Sequence, residues 1–185
     1  GPLRIVYTGM IYKGHRDPTP LLKVLAMLCE HGRVEVGNAT LDFYGARVEV
    51  ANELARIPSF KPFIRIMGHV PRDRSIAAQR EAGVLLLLES SAAEARGVLT
   101  GKLFEYLVAG RPILCVGSRP DFEIGRLLAA TGTGAAYGPD DHERLYDTVA
   151  ATLAGKGLFE TYSPNISEIL RYSRKRIAEN MLEWI

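Results

Sequence analysis

The chain has 185 residues, of which 47% are hydrophobic and 24% charged, and its formal net charge is +2. This length and composition suit one globular domain with a buried core, and the small net charge gives no reason to expect a nucleic-acid partner. The two cysteines, Cys29 and Cys115, lie in apolar segments. They indicate small core side chains in a reducing, cytoplasmic setting rather than a disulfide or a metal pair.

Strand and helix patterns alternate along the chain, beginning with a strand at Leu3–Thr8 that is followed directly by Gly9. A strand that ends in glycine at the edge of a sheet is a common start of a nucleotide-binding α/β unit. Gly9 also lets the backbone approach a ligand closely. Pro18 or Pro20 can open the next helix, whose apolar positions are Leu21, Leu22, Leu25 and Leu28.

The alternation continues through the rest of the chain. Further strands are predicted at Ala39–Tyr44, 63–67, Val84–Leu88 and 132–136. Further helices are predicted at 47–56, 73–81, 121–131, 139–155 and 163–185. The continuous apolar run Val84–Leu88 is typical of a strand buried on both faces, as in a parallel sheet. This order of elements predicts an open parallel α/β sheet covered by helices on both faces.

Residues 97–117 are the most informative stretch, because they predict a glycine-rich loop, a helix, a tight turn and a buried strand in succession. Thr100 is expected to cap the helix through its hydroxyl. Gly110 is expected to end the helix in the left-handed conformation. Apolar residues at helical spacing predict its inner face, namely Leu99, Leu103, Phe104, Leu107 and Val108.

The polar side of the same helix carries the candidate ligand-binding groups. Lys102 and Glu105 are three residues apart and are expected on the face opposite the core. Free backbone N–H groups at a helix N-terminus favour an anion such as phosphate. The Glu105 carboxylate can accept hydrogen bonds from a pair of hydroxyl groups. The stretch therefore indicates a site for a phosphate and a diol.

The run Gly-Lys-Leu-Phe-Glu-Tyr-Leu-Val-Ala-Gly-Arg-Pro-Ile-Leu at 101–114 closely resembles a signature of GT-B fold glycosyltransferases. The signature belongs to their C-terminal, nucleotide-sugar-binding domain, and the resemblance is strongest to the large retaining family that builds bacterial polysaccharides and glycolipids. It implies a Rossmann-like open parallel sheet of about six strands with helices on both faces. It also implies that Glu105 holds the ribose of the donor, while the amides of Leu99, Thr100 and Gly101 hold its diphosphate and sugar.

The resemblance extends to the loop after the first strand, which in the family often carries two basic residues on the diphosphate. Met10 occupies the first of these positions and departs from the pattern, whereas Arg16 matches the second. Lys13 is a candidate substitute for the missing cation. By resemblance, Arg16 and Lys102 would act in catalysis by stabilising the leaving diphosphate. The alternative for Arg16 is an ordinary surface arginine paired with a neighbouring carboxylate.

Two more positions follow from the family pattern. The loop at 68–72 would pass under the nucleobase, with Val70 touching the base. The family often has a first glutamate eight residues before the ribose glutamate, and that position is Gly97 here. The usual carboxylate for positioning the donor sugar therefore has no direct counterpart in this sequence.

GT-B enzymes have two Rossmann-like domains with the active site between them. The resemblance therefore implies that residues 1–185 form a single donor-binding domain, with 163–185 as its C-terminal helix, and that an N-terminal acceptor-binding domain lies outside this sequence. The implied partners are a nucleoside diphosphate sugar and that second domain, with no metal or cofactor. A basic cluster fits either a solvated face or peripheral contact with an anionic membrane; it comprises Arg171, Arg174, Lys175 and Arg176.

The expected function is transfer of a hexosyl group from a nucleoside diphosphate sugar, with retention, and residues 1–185 alone are expected to be inactive. Two alternatives remain open. One is a GT-B enzyme of the sugar-nucleotide 2-epimerase kind, which shares the ribose-binding glutamate. The other is a non-catalytic α/β scaffold or signalling module, which the departures at Met10 and Gly97 would allow.

Overall fold

A computed structural model describes residues 1–11, 15–90, 92 and 99–173 of the chain. Its six strands form one sheet, and every neighbouring pair is parallel. The strands are β1 (Leu3–Thr8), β2 (Ala39–Tyr44), β3 (Ile64–Gly68), β4 (Val84–Leu88), β5 (Ile113–Val116) and β6 (Gly134–Tyr137). Their order is β3-β2-β1-β4-β5-β6. The predicted Rossmann-like parallel sheet is confirmed.

Helices cover both faces of the sheet, as predicted. They are α1 (Thr19–Glu30), α2 (Glu49–Leu54), α3 (Arg72–Arg80), α4 (Gly101–Ala109), α5 (Glu123–Thr131), α6 (His142–Leu153) and α7 (Leu158–Thr161), followed by a C-terminal helix described over 166–173. Helices α1, α2, α6 and α7 share one buried cluster, and α3, α4, α5 and the C-terminal helix share the other. No helix within the described ranges has the length and apolar character needed to cross a membrane.

The strand sequences explain this two-sided core. In β1, Ile5 and Tyr7 join one buried cluster while Val6 between them joins the other, because successive side chains of a strand point to opposite faces. Every residue of β4 is buried, which confirms the interpretation of its apolar run. Full burial of one large apolar side chain stabilises the fold by roughly 1.5–3 kcal/mol. The centre of the sheet therefore anchors the loops that leave its carboxyl edge.

Several predicted boundaries shift. The second helix is shorter than 47–56, and α6 begins at His142 rather than at 139. The C-terminal helix begins at 166 rather than 163, because Ser163 and Asn165 donate backbone hydrogen bonds to the end of α5 instead. The Asn165 side chain then accepts the N–H of Glu168 at 3.2 Å and starts the helix. The helix predicted for 174–185, with most of the basic cluster, lies outside the described residues.

The inner face of α4 differs from the prediction at one position. Val108 was expected to point into the core, but its side chain is 69% exposed. Tyr106 is fully buried in its place, because its hydroxyl accepts the backbone N–H of Thr8 at 3.0 Å. A buried tyrosine requires such a partner for its hydroxyl. This contact ties α4 to the end of β1.

Glycines hold the strand ends against one another at the carboxyl edge of the sheet. The N–H of Gly9 donates to the carbonyl of Tyr44 at 2.7 Å. A Cβ at Gly45 would overlap the carbonyl oxygen of Gly9, and a Cβ at Gly117 would overlap the carbonyl oxygen of Glu89. Only a residue without a side chain allows these approaches. The end of β1 is consequently held close to the end of β2, and the end of β4 close to the end of β5.

Substitution at Gly45 tests this close packing. We expect Gly45→Ala to lower the free energy of unfolding by about 1–3 kcal/mol, because the added methyl group meets backbone that cannot move aside. Urea unfolding of the variant measures the change. Gly101→Ala is the matched control, since a Cβ there meets nothing within 4 Å and alanine is the better helix former. Equal stability of Gly45→Ala and wild type would contradict the packing argument.

Candidate functional site

The candidate site lies where the strand order reverses, between the adjacent strands β1 and β4. In open parallel sheets this reversal leaves a crevice outside the carboxyl ends of the strands, where ligands bind. Helix α4 begins at the same crevice. Thr100 precedes it in an extended conformation, and Gly101 is its first residue. The N-terminal partial charge of α4 therefore lies beside the ends of β1 and β4.

The spacing of Lys102 and Glu105 predicted that both lie on the open face of α4, but Lys102 does not. Its ammonium nitrogen lies 4.1 Å from the centre of the Tyr7 ring, and a Cβ on Gly9 would overlap it. Tyr7 in turn donates its hydroxyl to the Met10 carbonyl at 2.8 Å. The first turn of α4 packs over the end of β1, so the ammonium lies against an aromatic face.

Burial is the main cause that lowers the pKa of Lys102, to about 8. The nearby Arg16 guanidinium lowers the pKa further, while Glu89 and Glu105 oppose the change. Two cations and a carboxylate thus share one partly dehydrated region, in which each charge acts strongly on the others. Arg16 and Lys102, the two residues predicted to stabilise a leaving diphosphate, are brought together there.

Glu89 is the residue of this region that sequence reasoning missed. The sequence placed it in a polar loop, but the structure places it, half-buried, at the end of β4. Burial raises the pKa of Glu89, while Arg16, Thr100 and Lys102 oppose that shift. Its position directly after a five-residue buried strand was the available signal, because such a residue lies at the carboxyl edge of the sheet.

Thr100 does not cap α4 with its side chain, contrary to the prediction. Its hydroxyl donates instead to Oε1 of Glu89 at 3.3 Å. A carboxylate is a strong acceptor, and it lies within reach because β4 ends beside the N-terminus of α4. The contact joins Glu89 to the first turn of the helix.

Glu105 lies at the outer end of the site and is 43% exposed. Its Oε1 is 3.2 Å from Nη2 of Arg72, whose side chain is 80% exposed. The side-chain amide of Gln79 is 3.5 Å from its Oε2. Exposed ion pairs contribute at most about 1 kcal/mol, so ligand hydroxyl groups can displace Arg72 at little cost. Glu105 is thus held in place but remains able to accept new hydrogen bonds.

A buried hydrogen-bond network supports Glu105 from below. The Gln79 amide donates to Oγ1 of Thr8 at 3.1 Å, and Thr8 contacts the hydroxyl of Tyr106. Burial raises the pKa of Tyr106 to about 12, so this phenol stays neutral. The network could not be predicted from the sequence, because its members come from β1, α3 and α4 and meet only in the folded chain.

Most residues predicted for the site lie along this edge of the sheet. Gly9 lies beside the Lys102 ammonium, Thr100 is hydrogen-bonded to Glu89, and Gly101 is the first residue of α4. Val70 and Leu99 pack partly buried against the core cluster beneath α3 and α4. Lys13, like Gly97, lies outside the described residues.

No family model and no curated protein sequence matches this chain. Solved structures do match it in fold. WaaG, a glycosyltransferase involved in lipopolysaccharide biosynthesis, is 18% identical with a TM-score of 0.64, over 93% of this chain and 43% of its own. The α,α-trehalose-phosphate synthase (UDP-forming) of Burkholderia vietnamiensis is 14% identical with a TM-score of 0.65, over 92% of this chain and 42% of its own.

A third match is the C-terminal domain of LpcC, a glycosyl transferase group 1 family protein of Francisella tularensis. It is 11% identical with a TM-score of 0.60, and the match covers 91% of this chain and 85% of that domain. The chain thus spans less than half the length of WaaG and of the synthase, but most of the single domain. It has the fold of the C-terminal half of GT-B glycosyltransferases, as the resemblance implied.

The partly buried ammonium of Lys102 predicts a pH-dependent effect on stability. Its pKa falls from the ordinary 10.5 to about 8, so between these values the unfolded chain binds a proton that the folded chain lacks. The free energy of unfolding therefore rises as the pH increases from about 8 to 10.5. At lower pH the ammonium is charged in the folded chain and destabilises the fold. We expect Lys102→Met to be more stable than wild type at pH 7 by roughly 1–3 kcal/mol.

Urea unfolding at pH 7 and above pH 10.5 measures this effect, and the difference is expected to vanish at the higher pH. Lys156→Met is the control, because Lys156 is exposed and its substitution should give no pH-dependent gain. A Lys102→Met variant that loses stability at pH 7 would show that the ammonium is well compensated in the fold.

Proposed function

We propose that this chain is the donor-binding domain of a glycosyltransferase that moves a hexosyl group from a nucleoside diphosphate sugar to an acceptor, with retention. The observation that carries the proposal is the meeting of two cations, a glycine strand end and a helix N-terminus at the switch point of the sheet. Arg16 and Lys102 contribute to one charged region there, beside Gly9. Such a group of donors suits a diphosphate.

In this proposal each part of the donor has its own partners. The ribose hydroxyls bind the Glu105 carboxylate and displace Arg72. The diphosphate binds the ammonium of Lys102, the guanidinium of Arg16 and the amides of Leu99, Thr100 and Gly101. The backbone around Val70 lies on the same side of the site as Arg72 and holds the nucleobase, and Lys13 is a further candidate for the diphosphate.

The chemical role of these residues is to stabilise the charge that develops on the leaving diphosphate. A desolvated ammonium and guanidinium are effective there, because fixed charges act more strongly in a site from which water is partly excluded. No residue of the described chain is assigned as a general base. A retaining transfer needs no such base from this domain, and otherwise the base would come from the acceptor-binding domain.

The proposed whole enzyme includes an N-terminal acceptor-binding domain that closes over the crevice. Its proposed setting is cytoplasmic, with peripheral membrane contact through the basic cluster as an additional proposal.

Residues 1–185 alone would then bind donor but transfer nothing, because the acceptor site is built by the second domain. Incubation of this chain with nucleotide sugars and candidate acceptors, followed by mass spectrometry, is expected to show no glycosylated product. Sugar transfer by this chain alone would refute the proposal that the second domain supplies the acceptor site.

Calorimetric titration of the chain with UDP, GDP and ADP tests the donor site. We expect saturable binding of one nucleotide, and we expect Glu105→Ala to weaken it roughly 10- to 100-fold, because hydrogen bonds to a charged group contribute about 1.5–3 kcal/mol. Glu143→Ala is the matched control, since Glu143 is an exposed residue of the first turn of another helix, α6. An unchanged affinity in Glu105→Ala would contradict the ribose assignment.

The same titration separates the scaffold alternative from both kinds of enzyme. A scaffold or signalling module would bind none of the three nucleotides. An enzyme of the 2-epimerase kind would bind its nucleotide as a transferase does. It would, however, produce an epimerised nucleotide sugar without any acceptor, once its second domain is present.

A further inference from the structure

A second cavity opens on the other side of Glu89. Its volume is about 290 Å³, and we call it the β5–β6 pocket. It is lined by Glu89, Val116, Gly117, Gly138, His142 and His15, among others. The pocket lies at the carboxyl ends of β4, β5 and β6, next to the proposed diphosphate site but outside the groups assigned to it.

The order of the strands gives the pocket its place along a bound donor. Glu105 and Arg72, the proposed ribose end, meet between α4 and the start of α3, which follows β3. The cations lie at β1 and at the start of α4, in the middle. The β5–β6 pocket lies beyond β4, toward the opposite edge of the sheet. The pocket is on the α1 and α6 side of the sheet, so a ligand that runs from ribose through diphosphate would reach it by crossing the carboxyl edge beside β4.

Glu89 connects the two compartments physically. One of its carboxylate oxygens accepts the Thr100 hydroxyl at 3.3 Å, at the first turn of α4. The same side chain lines the pocket together with His142 on α6. A group attached to a diphosphate held at α4 would thus pass directly beside this carboxylate.

The lining has the chemistry of a site for a neutral sugar. Val116 and Leu145 are buried apolar side chains at its base, against which the C–H face of a pyranose ring can pack. Around them stand the Glu89 carboxylate and the imidazoles of His15 and His142. A carboxylate accepts hydrogen bonds from hydroxyl groups, and an imidazole can donate or accept. Asp17 also lines the pocket, so a sugar acid would place a third carboxylate beside those of Glu89 and Asp17.

From this geometry we propose that the β5–β6 pocket binds the transferred group of the donor, that this group is a neutral hexosyl residue, and that Glu89 is the residue that selects it. The inference rests on the proposed function, because it takes the diphosphate to be bound at α4. It also provides a carboxylate for the sugar at a position other than Gly97, where the family pattern would place one.

The four histidines of the chain give a direct test by NMR of the imidazole resonances. His69 lies in the loop proposed for the nucleobase, and His15 and His142 line the pocket, which includes Pro20 at the start of α1. His31 is hydrogen-bonded to Tyr146 at the C-terminal end of α1. Histidine-to-glutamine variants assign the four signals. The probes, at millimolar concentration, are UDP, GDP and ADP, then UDP-glucose, GDP-mannose and ADP-glucose, and finally UDP-glucuronate.

We expect the fitting nucleotide to shift the His69 resonance, and its hexose conjugate to shift His15 and His142 in addition, with His31 unchanged. Absence of any His69 shift with every nucleotide would refute the proposed function and this inference together. A His69 shift without any effect of the hexose on His15 and His142 would overturn the inference alone. A pocket response to UDP-glucuronate equal to that for UDP-glucose would overturn the neutral-sugar assignment.

Affinity ratios then test the role of Glu89. We expect Glu89→Gln to reduce the ratio of nucleotide-hexose to nucleotide affinity roughly tenfold, because a charged acceptor for sugar hydroxyls is lost. His142→Ala, at an exposed position that perturbs folding little, should reduce the same ratio without changing nucleotide affinity. Glu143→Gln is the matched control and should leave the ratio unchanged. An unaltered ratio in both pocket variants would overturn the assignment.

Discussion

The rest of the site depends on one electrostatic constraint, which is the partial burial of the Lys102 ammonium against Gly9 and the Tyr7 ring. Removing water from this charge is unfavourable, as its lowered pKa shows, and an adjacent guanidinium adds to the cost. The carboxylates of Glu89 and Glu105 offset only part of it. A bound diphosphate would supply the missing negative charge. The fold thus carries an unfavourable charge that an anionic ligand would relieve, which couples ligand binding to the stability of the domain.

This constraint requires a closely packed carboxyl edge. Gly9 has a φ of +132°, a backbone conformation that L side chains rarely adopt, and the Lys102 ammonium lies where its Cβ would be. Gly45 and Gly117 let the neighbouring loops approach the β1 and β4 ends in the same way. The buried Thr8–Tyr106 contact fixes α4 over the crevice. The partial dehydration of the Lys102 ammonium therefore depends on the close packing of the strand ends, because wider spacing there would let water reach the charge.

Much of this architecture could be predicted from the sequence, because strands, turns and helix ends depend on residues near each other in the chain. The apolar run of β4 and the glycine that ends α4 are examples. The partial burial of Lys102 and the contact between Glu89 and Thr100 could not be predicted, because they depend on how α4 packs over two strands distant in sequence. Thr100 shows the same limit: its sequence position fits a cap, yet a carboxylate from β4 takes its hydroxyl. The inner face of α4 was misjudged at Val108 because a partner for Tyr106 comes from β1.

The departure at Met10 leaves positive charge at the end of β1, because the ammonium of Lys102 lies beside Gly9. The side chain of Met10 is 39% exposed, and its carbonyl accepts a hydrogen bond from the Tyr7 hydroxyl, which holds the backbone at residue 10. The ammonium of Lys102 lies directly beside the preceding residue, Gly9, and brings positive charge to the same loop from α4. A scaffold that had no anionic ligand would gain stability from an apolar residue at position 102, since nothing in the described fold fully compensates the charge. A destabilising, partly dehydrated cation at a switch point is instead typical of a binding site, where function opposes stability.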